Sequence, residues 1–78
     1  MKGSYYNWVF YDVETQEKAT GRIIKCEAYQ SIDEAKRYIR DTIELKCLEQ
    51  NEELVLIRRE YDVNRELIDE EIIGEYSN

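Results

Sequence analysis

Two stretches near the start of the chain have the residue pattern of β-strands. Residues 4–13 and residues 18–29 are rich in aromatic and β-branched side chains, which favour extended structure. The short polar run 14–17 between them predicts a hairpin loop. We expect a bulged register that places Trp8 opposite Ile24, because burial then gathers six side chains on one apolar face. These six residues are Tyr6, Trp8, Phe10, Ile24, Cys26 and Ala28.

Residues 31–50 carry the pattern of an amphipathic helix. Ser31 is a favourable N-cap residue, and Glu34 three positions later completes a capping-box sequence. Apolar residues recur at helical spacing from Ile32 to Cys47, which predicts a stripe that packs on the sheet. The opposite side of the helix is charged and is expected to face solvent.

The apolar faces of the hairpin and the helix define the expected core. Trp8 is predicted to lie at its centre, against the helix. Cys26 and Cys47 fall on the same faces and lack CxxC spacing, and the chain has no histidine with which to build a zinc site. We therefore expect both thiols to be buried and reduced, which is typical of a cytoplasmic protein.

Residues 53–63 predict a third strand, but residues 64–76 fit two structures. A helix would align apolar residues at four-residue spacing. A strand after a turn at residues 64–65 would give both arginines of the third strand acidic partners, and we favour it for that reason. The strand pairs Tyr61 with Ile68, Arg59 with Glu70, Arg58 with Glu71, Ile57 with Ile72 and Leu56 with Ile73.

The predicted fold is therefore α+β with the element order β-β-α-β-β. It is a four-stranded antiparallel sheet with one helix on one face, and the alternative is β-β-α-β-α. The chain of 78 residues is expected to form a single small domain. No family resemblance is evident.

Composition narrows the classes of function. The chain lacks histidine, and its three glycines are scattered, so the usual general base and the glycine-rich phosphate loop are both missing. No apolar run is long enough to span a membrane. The formal net charge of −7 disfavours direct contact with nucleic acid. We expect a non-enzymatic protein with no cofactor, no metal site and no membrane contact.

The negative charge is concentrated in residues 52–78, which contain nine acidic and three basic side chains. Such a field can steer a basic partner, and carboxylates can take the positions of phosphates. We call the following residues the acidic edge: Asp62, Glu66, Asp69, Glu70, Glu71 and Glu75. Cross-strand arginines are expected to neutralise Glu70 and Glu71, which leaves Glu66, Asp69 and Glu75 to face a partner.

These features predict a protein-binding or inhibitory module that acts by occupying a surface. One form is an acidic nucleic-acid mimic, from a phage or mobile element, whose partner is a basic nucleic-acid-binding protein. The alternative is a structural homodimeric subunit that associates through a tyrosine-rich sheet face, because tyrosine is enriched at interfaces. That face is expected opposite the helix and consists of Tyr5, Tyr11, Ile23 and Tyr29.

Overall fold

The computed structural model describes residues 7–78. The elements are β1 (Trp8–Glu17), β2 (Ile23–Tyr29), α1 (Ile32–Glu44), β3 (Glu52–Tyr61) and β4 (Leu67–Tyr76). The strands form one antiparallel sheet in the order β2-β1-β3-β4, and the single helix of these residues follows the first hairpin. The α+β fold with the order β-β-α-β-β is confirmed, and the helical alternative for the last segment is wrong.

The first hairpin pairs differently from the prediction. β1 continues to Glu17, so the polar residues expected to form the loop are part of the strand, and the turn lies at residues 18–22. Tyr11 pairs with Tyr29 and Glu14 with Cys26, whereas Trp8 pairs with Tyr61 of β3 and has no partner on β2. The polar composition of residues 14–17 did not predict their structure correctly, because β1 is a central strand. It pairs on both sides along most of its length, and this pairing keeps polar residues in the sheet.

The longer strand also changes which face of the sheet the helix covers. Even-numbered residues of β1 and β2 do share one face, as expected, but that face also contains Asp12, and the extension of β1 adds Glu14 to it. The opposite face of β1 presents Tyr11 and Val13. The helix packs on that second face, and Trp8, at 43% exposure, is not a core residue.

The core lies between α1 and the middle of the sheet. Leu54 and Leu56 of β3 and Val13 of β1 are fully buried, and Ala35 and Ile39 meet them from the helix. Partly buried side chains close the rim of this core: Tyr11, Tyr29, Ile32, Tyr38, Ile43 and Tyr76. No helix within residues 7–78 has the length and apolar character that crossing a membrane requires.

The helix begins as predicted and ends early. The Ser31 hydroxyl accepts hydrogen bonds from the backbone N–H groups of Asp33 and Glu34, at 3.1 and 3.4 Å. The helix stops at Glu44, and Lys46 adopts a left-handed conformation with φ of 56°. Cys47 therefore lies in the following loop rather than on the apolar stripe.

Both cysteines are free and exposed, so their predicted burial is wrong. Cys47 is exposed because the helix ends before it. Cys26 is exposed because its face of the sheet is the one that α1 leaves uncovered.

The second hairpin keeps the predicted register at its centre, where Arg59 pairs with Glu70, Arg58 with Glu71 and Ile57 with Ile72. Irregularities shift the pairing at both ends, so that Leu56 pairs with Gly74 and Tyr61 with Leu67. The loop is longer than a two-residue turn: Asp62 Oδ1 accepts the N–H groups of Asn64 and Glu66, and Arg65 has a φ of 67°. This arrangement is typical of a three-residue hairpin loop.

The position of the core generates a stability prediction. Leu56→Ala should lower the free energy of unfolding by about 2–5 kcal/mol, because it opens a cavity at a fully buried site. Urea denaturation followed by circular dichroism measures the change. The matched control is Leu45→Ala, at a residue 73% exposed, where we expect a change within about 0.5 kcal/mol. Equal losses in the two variants would show that the core is misplaced.

Candidate functional site

The face of the sheet opposite α1, which we call the open face, is the main candidate site. Within residues 7–78 no element covers it. It combines aromatic and aliphatic side chains with a group of buried charges. Strand pairing places these residues on it: Trp8, Phe10, Asp12, Glu14, Ile23, Cys26, Ala28, Val55, Ile57, Arg59, Tyr61, Leu67, Glu70 and Ile72.

Arg59 organises the charged part of the open face. Its Nη1 donates to Asp12 Oδ2 at 2.9 Å, its Nη2 to Glu14 Oε2 at 2.9 Å, and its Nε to Glu70 Oε2 at 2.6 Å. Asp12 and Glu14 are only 6% and 4% exposed. Partial burial acts to lower the pKa of Arg59, but the hydrogen bonds to these carboxylates outweigh it, so the pKa is raised.

The strand geometry explains how Arg59, on β3, binds carboxylates on both neighbouring strands. Arg59 stands opposite Phe10 on β1, yet it binds Asp12 and Glu14 farther along that strand. Its side chain therefore runs along the face past Ile57, which is only 4% exposed although no helix lies above it. Three carboxylates surround a single guanidinium, which leaves a formal excess of two negative charges.

An aromatic cavity adjoins this charged cluster. It has a volume of about 410 Å³ and is lined by Trp8, Phe10, Asp12, Ala28, Tyr61 and Arg65. The rings of Phe10 and Tyr61 meet edge to face, with centroids 6.0 Å apart. The Arg65 guanidinium carbon lies 5.8 Å from the centroid of the Trp8 ring, within the range of a cation–π contact.

Some carboxylates of the acidic edge bind an arginine or the backbone, and the others bind no described residue. Asp62 holds the hairpin loop, Glu70 binds Arg59, and Asp69 binds Arg58 at 3.3 Å. Glu66, Glu71 and Glu75 are exposed and make no ion pair with any residue in 7–78. The expected neutralisation of Glu71 by Arg58 is therefore wrong, because Arg58 binds Glu60 and Asp69 instead.

The predicted tyrosine face does not exist as expected. Tyr11 and Tyr29 pack against the core on the side that carries α1, and the Tyr29 ring lies 5.8 Å from that of Tyr38 on the helix. Ile23 is 54% exposed and pairs with Gln16 on the open-face side. Tyr5 lies outside the described residues.

The sequence contains a pattern that could have predicted the Arg59 cluster. Asp12 and Glu14 alternate with Tyr11 and Val13, which places both acids on the same face of a strand. Two carboxylates on one face of a paired strand need a cation, and Arg59 is the cation that pairing brings within reach. No group of three potential metal ligands occurs within the described range of the chain.

Comparisons with protein-family models, with curated proteins and with solved structures found no match.

The environment of Cys26 leads to a labelling prediction. Partial burial raises the pKa of its thiol, and the carboxylates of Asp12 and Glu14 raise it further. In a Cys47→Ser variant, a maleimide should label native Cys26 without unfolding, but the rate should keep rising with pH beyond the ordinary thiol pKa of about 8.5. The same variant unfolded in urea is the control and should show the ordinary profile. Complete protection of the native thiol would contradict the exposed placement.

The Arg59 cluster leads to a second stability prediction. Arg59→Met should destabilise the protein by roughly 3–5 kcal/mol, because it leaves Asp12 and Glu14 buried without a cation. Arg22→Met is the control: the Arg22 side chain is 66% exposed in its ion pair with Glu17, and loss of this pair should cost at most about 1 kcal/mol in urea denaturation.

A triple variant identifies the cause of that loss. Asp12→Val combined with Glu14→Val and Arg59→Met removes the charges together and should recover most of the stability lost in Arg59→Met. If the triple variant is no more stable than Arg59→Met, the loss comes from packing by the arginine side chain and not from unpaired charge.

Proposed function

We propose that this chain is a non-enzymatic protein-binding module that occupies a basic surface of its partner. The observation that carries the proposal is the composition of β4, an edge strand of the sheet. Four of its aliphatic side chains are exposed, namely Leu67, Ile68, Ile72 and Ile73. Exposed carboxylates without internal partners flank them. Apolar contacts surrounded by charge are typical of protein interfaces.

The unengaged carboxylates support a mimic of nucleic acid as the specific form of this module. Glu66, Glu71 and Glu75 lie at the hairpin loop, the middle and the end of β4, so negative charge is spread along the whole strand. A basic groove that binds a phosphate backbone attracts negative charge distributed in this way. The free thiols are consistent with action in the cytoplasm, where we place the protein.

Catalysis is not part of the proposal. Nucleophilic cysteines have lowered pKa values in electropositive surroundings. The Cys26 thiol has the opposite properties, since its pKa is raised and carboxylates surround it. We therefore treat the open face as a contact surface.

A structural homodimer is the second candidate function. The open face exposes Trp8, Leu67 and Ile72 by 43%, 48% and 59%, and a second copy could cover them. The contact would be made by these residues, because Tyr11 and Tyr29 are committed to the core. Edge-to-edge pairing of β4 with its own copy is disfavoured, since it would oppose carboxylates.

Charge reversal on the acidic edge tests the proposal. Glu66→Lys, Glu71→Lys and Glu75→Lys combined should abolish retention on immobilised basic nucleic-acid-binding proteins. The wild type should be retained at ~0.05 M salt, released at ~0.5 M salt and displaced by duplex DNA, because screening weakens contacts between exposed charges. Retention on a column, measured by elution volume, gives the result.

The matched control reverses the same number of charges on α1. Asp33→Lys, Glu34→Lys and Asp41→Lys combined change exposed residues and should leave retention largely unchanged, because Glu34 and Asp41 adjoin Tyr29 of β2, at the sheet edge opposite β4. If both variants lose retention equally, net charge alone is responsible. If the wild type self-associates in ~0.5 M salt, the homodimer is favoured.

A further inference from the structure

The walls of the open-face cavity have the chemistry of a cation site. Trp8, Phe10 and Tyr61 supply aromatic rings around a space of about 410 Å³. The faces of such rings carry partial negative charge and attract ammonium and guanidinium groups. A volume of this size falls in the range of small-ligand clefts, about 300–1,000 Å³.

One residue that lines the cavity has an unsatisfied buried acceptor. Asp12 lines the cavity at 6% exposure, and its Oδ2 is bound to Arg59. Its Oδ1 is buried and accepts no hydrogen bond from any group within residues 7–78. A buried carboxylate oxygen without a donor costs free energy that an incoming N–H group would recover.

The charge balance around Asp12 also favours a second cation. Asp12, Glu14 and Glu70 share the single guanidinium of Arg59, so the cluster has an excess of negative charge. Asp12 and Glu14 are largely shielded from water, which weakens solvent screening of that charge.

Arg65 shows that a guanidinium fits against these walls. It is an exposed residue of the β3–β4 loop, and its guanidinium lies over the Trp8 ring at the edge of the cavity. It makes no ion pair with a described residue, so only this weak contact holds it there. Arg65 can therefore yield its position to another cation.

We infer that the cavity receives one arginine side chain of the partner. The guanidinium stacks on Trp8 in place of Arg65 and donates a hydrogen bond to Asp12 Oδ1, compensating part of the excess charge of the cluster. Arginine suits this site because its planar group both stacks and donates. The inference rests on the proposed function in one respect, namely that the partner is basic.

Fluorescence of Trp8, the only tryptophan in the chain, tests the inference directly. N-acetyl-arginine amide should change it saturably, with a dissociation constant of about 1 mM, as expected for a single small contact. N-acetyl-citrulline amide has the same shape without the charge and should bind at least about tenfold more weakly. Equal responses to the two probes, or no response to the arginine probe, would overturn the site.

Two single-charge variants separate the cavity from the general negative field. Asp12→Asn should weaken binding of the arginine probe about tenfold, whereas Glu71→Gln should leave it within about twofold. Both remove one negative charge, but only Asp12 lines the cavity. Equal weakening would assign the binding to the acidic edge and overturn the inference.

Ala28→Lys keeps the test decisive if Asp12→Asn fails to fold. Ala28 is exposed and lines the cavity, so a lysine there supplies a tethered cation and should abolish the saturable response. Ala19→Lys, in the exposed β1–β2 turn, is the control and should bind like the wild type. Binding that survives Ala28→Lys would show that the probe lies elsewhere.

The outcomes of the two sets of experiments are independent. Retention on basic proteins that depends on the acidic edge, without any response to the arginine probe, would keep the proposed function and discard the cavity site. A saturable arginine response without retention would do the reverse. A change of Trp8 fluorescence on dilution of the protein alone would mean that a second copy covers the open face, which also overturns the inference.

Discussion

The ion cluster around Arg59 is the interaction on which the rest of the structure depends. Asp12 and Glu14 are buried in the central strand of the sheet, where unpaired charges would cost several kcal/mol. The cluster spans β1, β3 and β4, so it ties together three of the four strands. A slip of β3 by one residue would turn Arg59 to the other face and leave both acids without a cation.

The Arg59 cluster and the helix lie on opposite faces of the sheet. Asp12 and Glu14 are on one face of β1, and the apolar stripe of α1 packs on the other. Tyr11 and Val13 then join Leu54 and Leu56 beneath the helix. The aromatic residues Trp8 and Phe10 remain on the open face beside the charges. The cavity and the Arg59 cluster therefore lie together on the face that α1 leaves open.

The order of elements could be predicted from the sequence because each signal was local: the Ser31 cap, the helical spacing after it and the cross-strand partners of Arg59. The assignment of side chains to the helix-covered and open faces could not be predicted, because it depended on where β1 ends. The run Glu14–Glu17 has the composition of a loop, but pairing with β3 holds it in the sheet. From this error followed the wrong placement of Trp8, Cys26 and the tyrosines. The acidic edge stays a prediction as a partner-binding surface. Its internal ion pairs differ from the expected ones because they depend on side-chain reach, which a strand-pairing scheme does not contain.

The same charge distribution favours a different protein over a second copy as the occupant of the open face. Face-to-face dimerisation would bury Trp8, Leu67 and Ile72, which is favourable. It would also bring two Arg59 clusters together, each with excess negative charge and each losing contact with water. A basic partner provides the apolar contact and relieves the charge at once. Complementarity of charge therefore supports the proposed basic partner over a second copy of the chain.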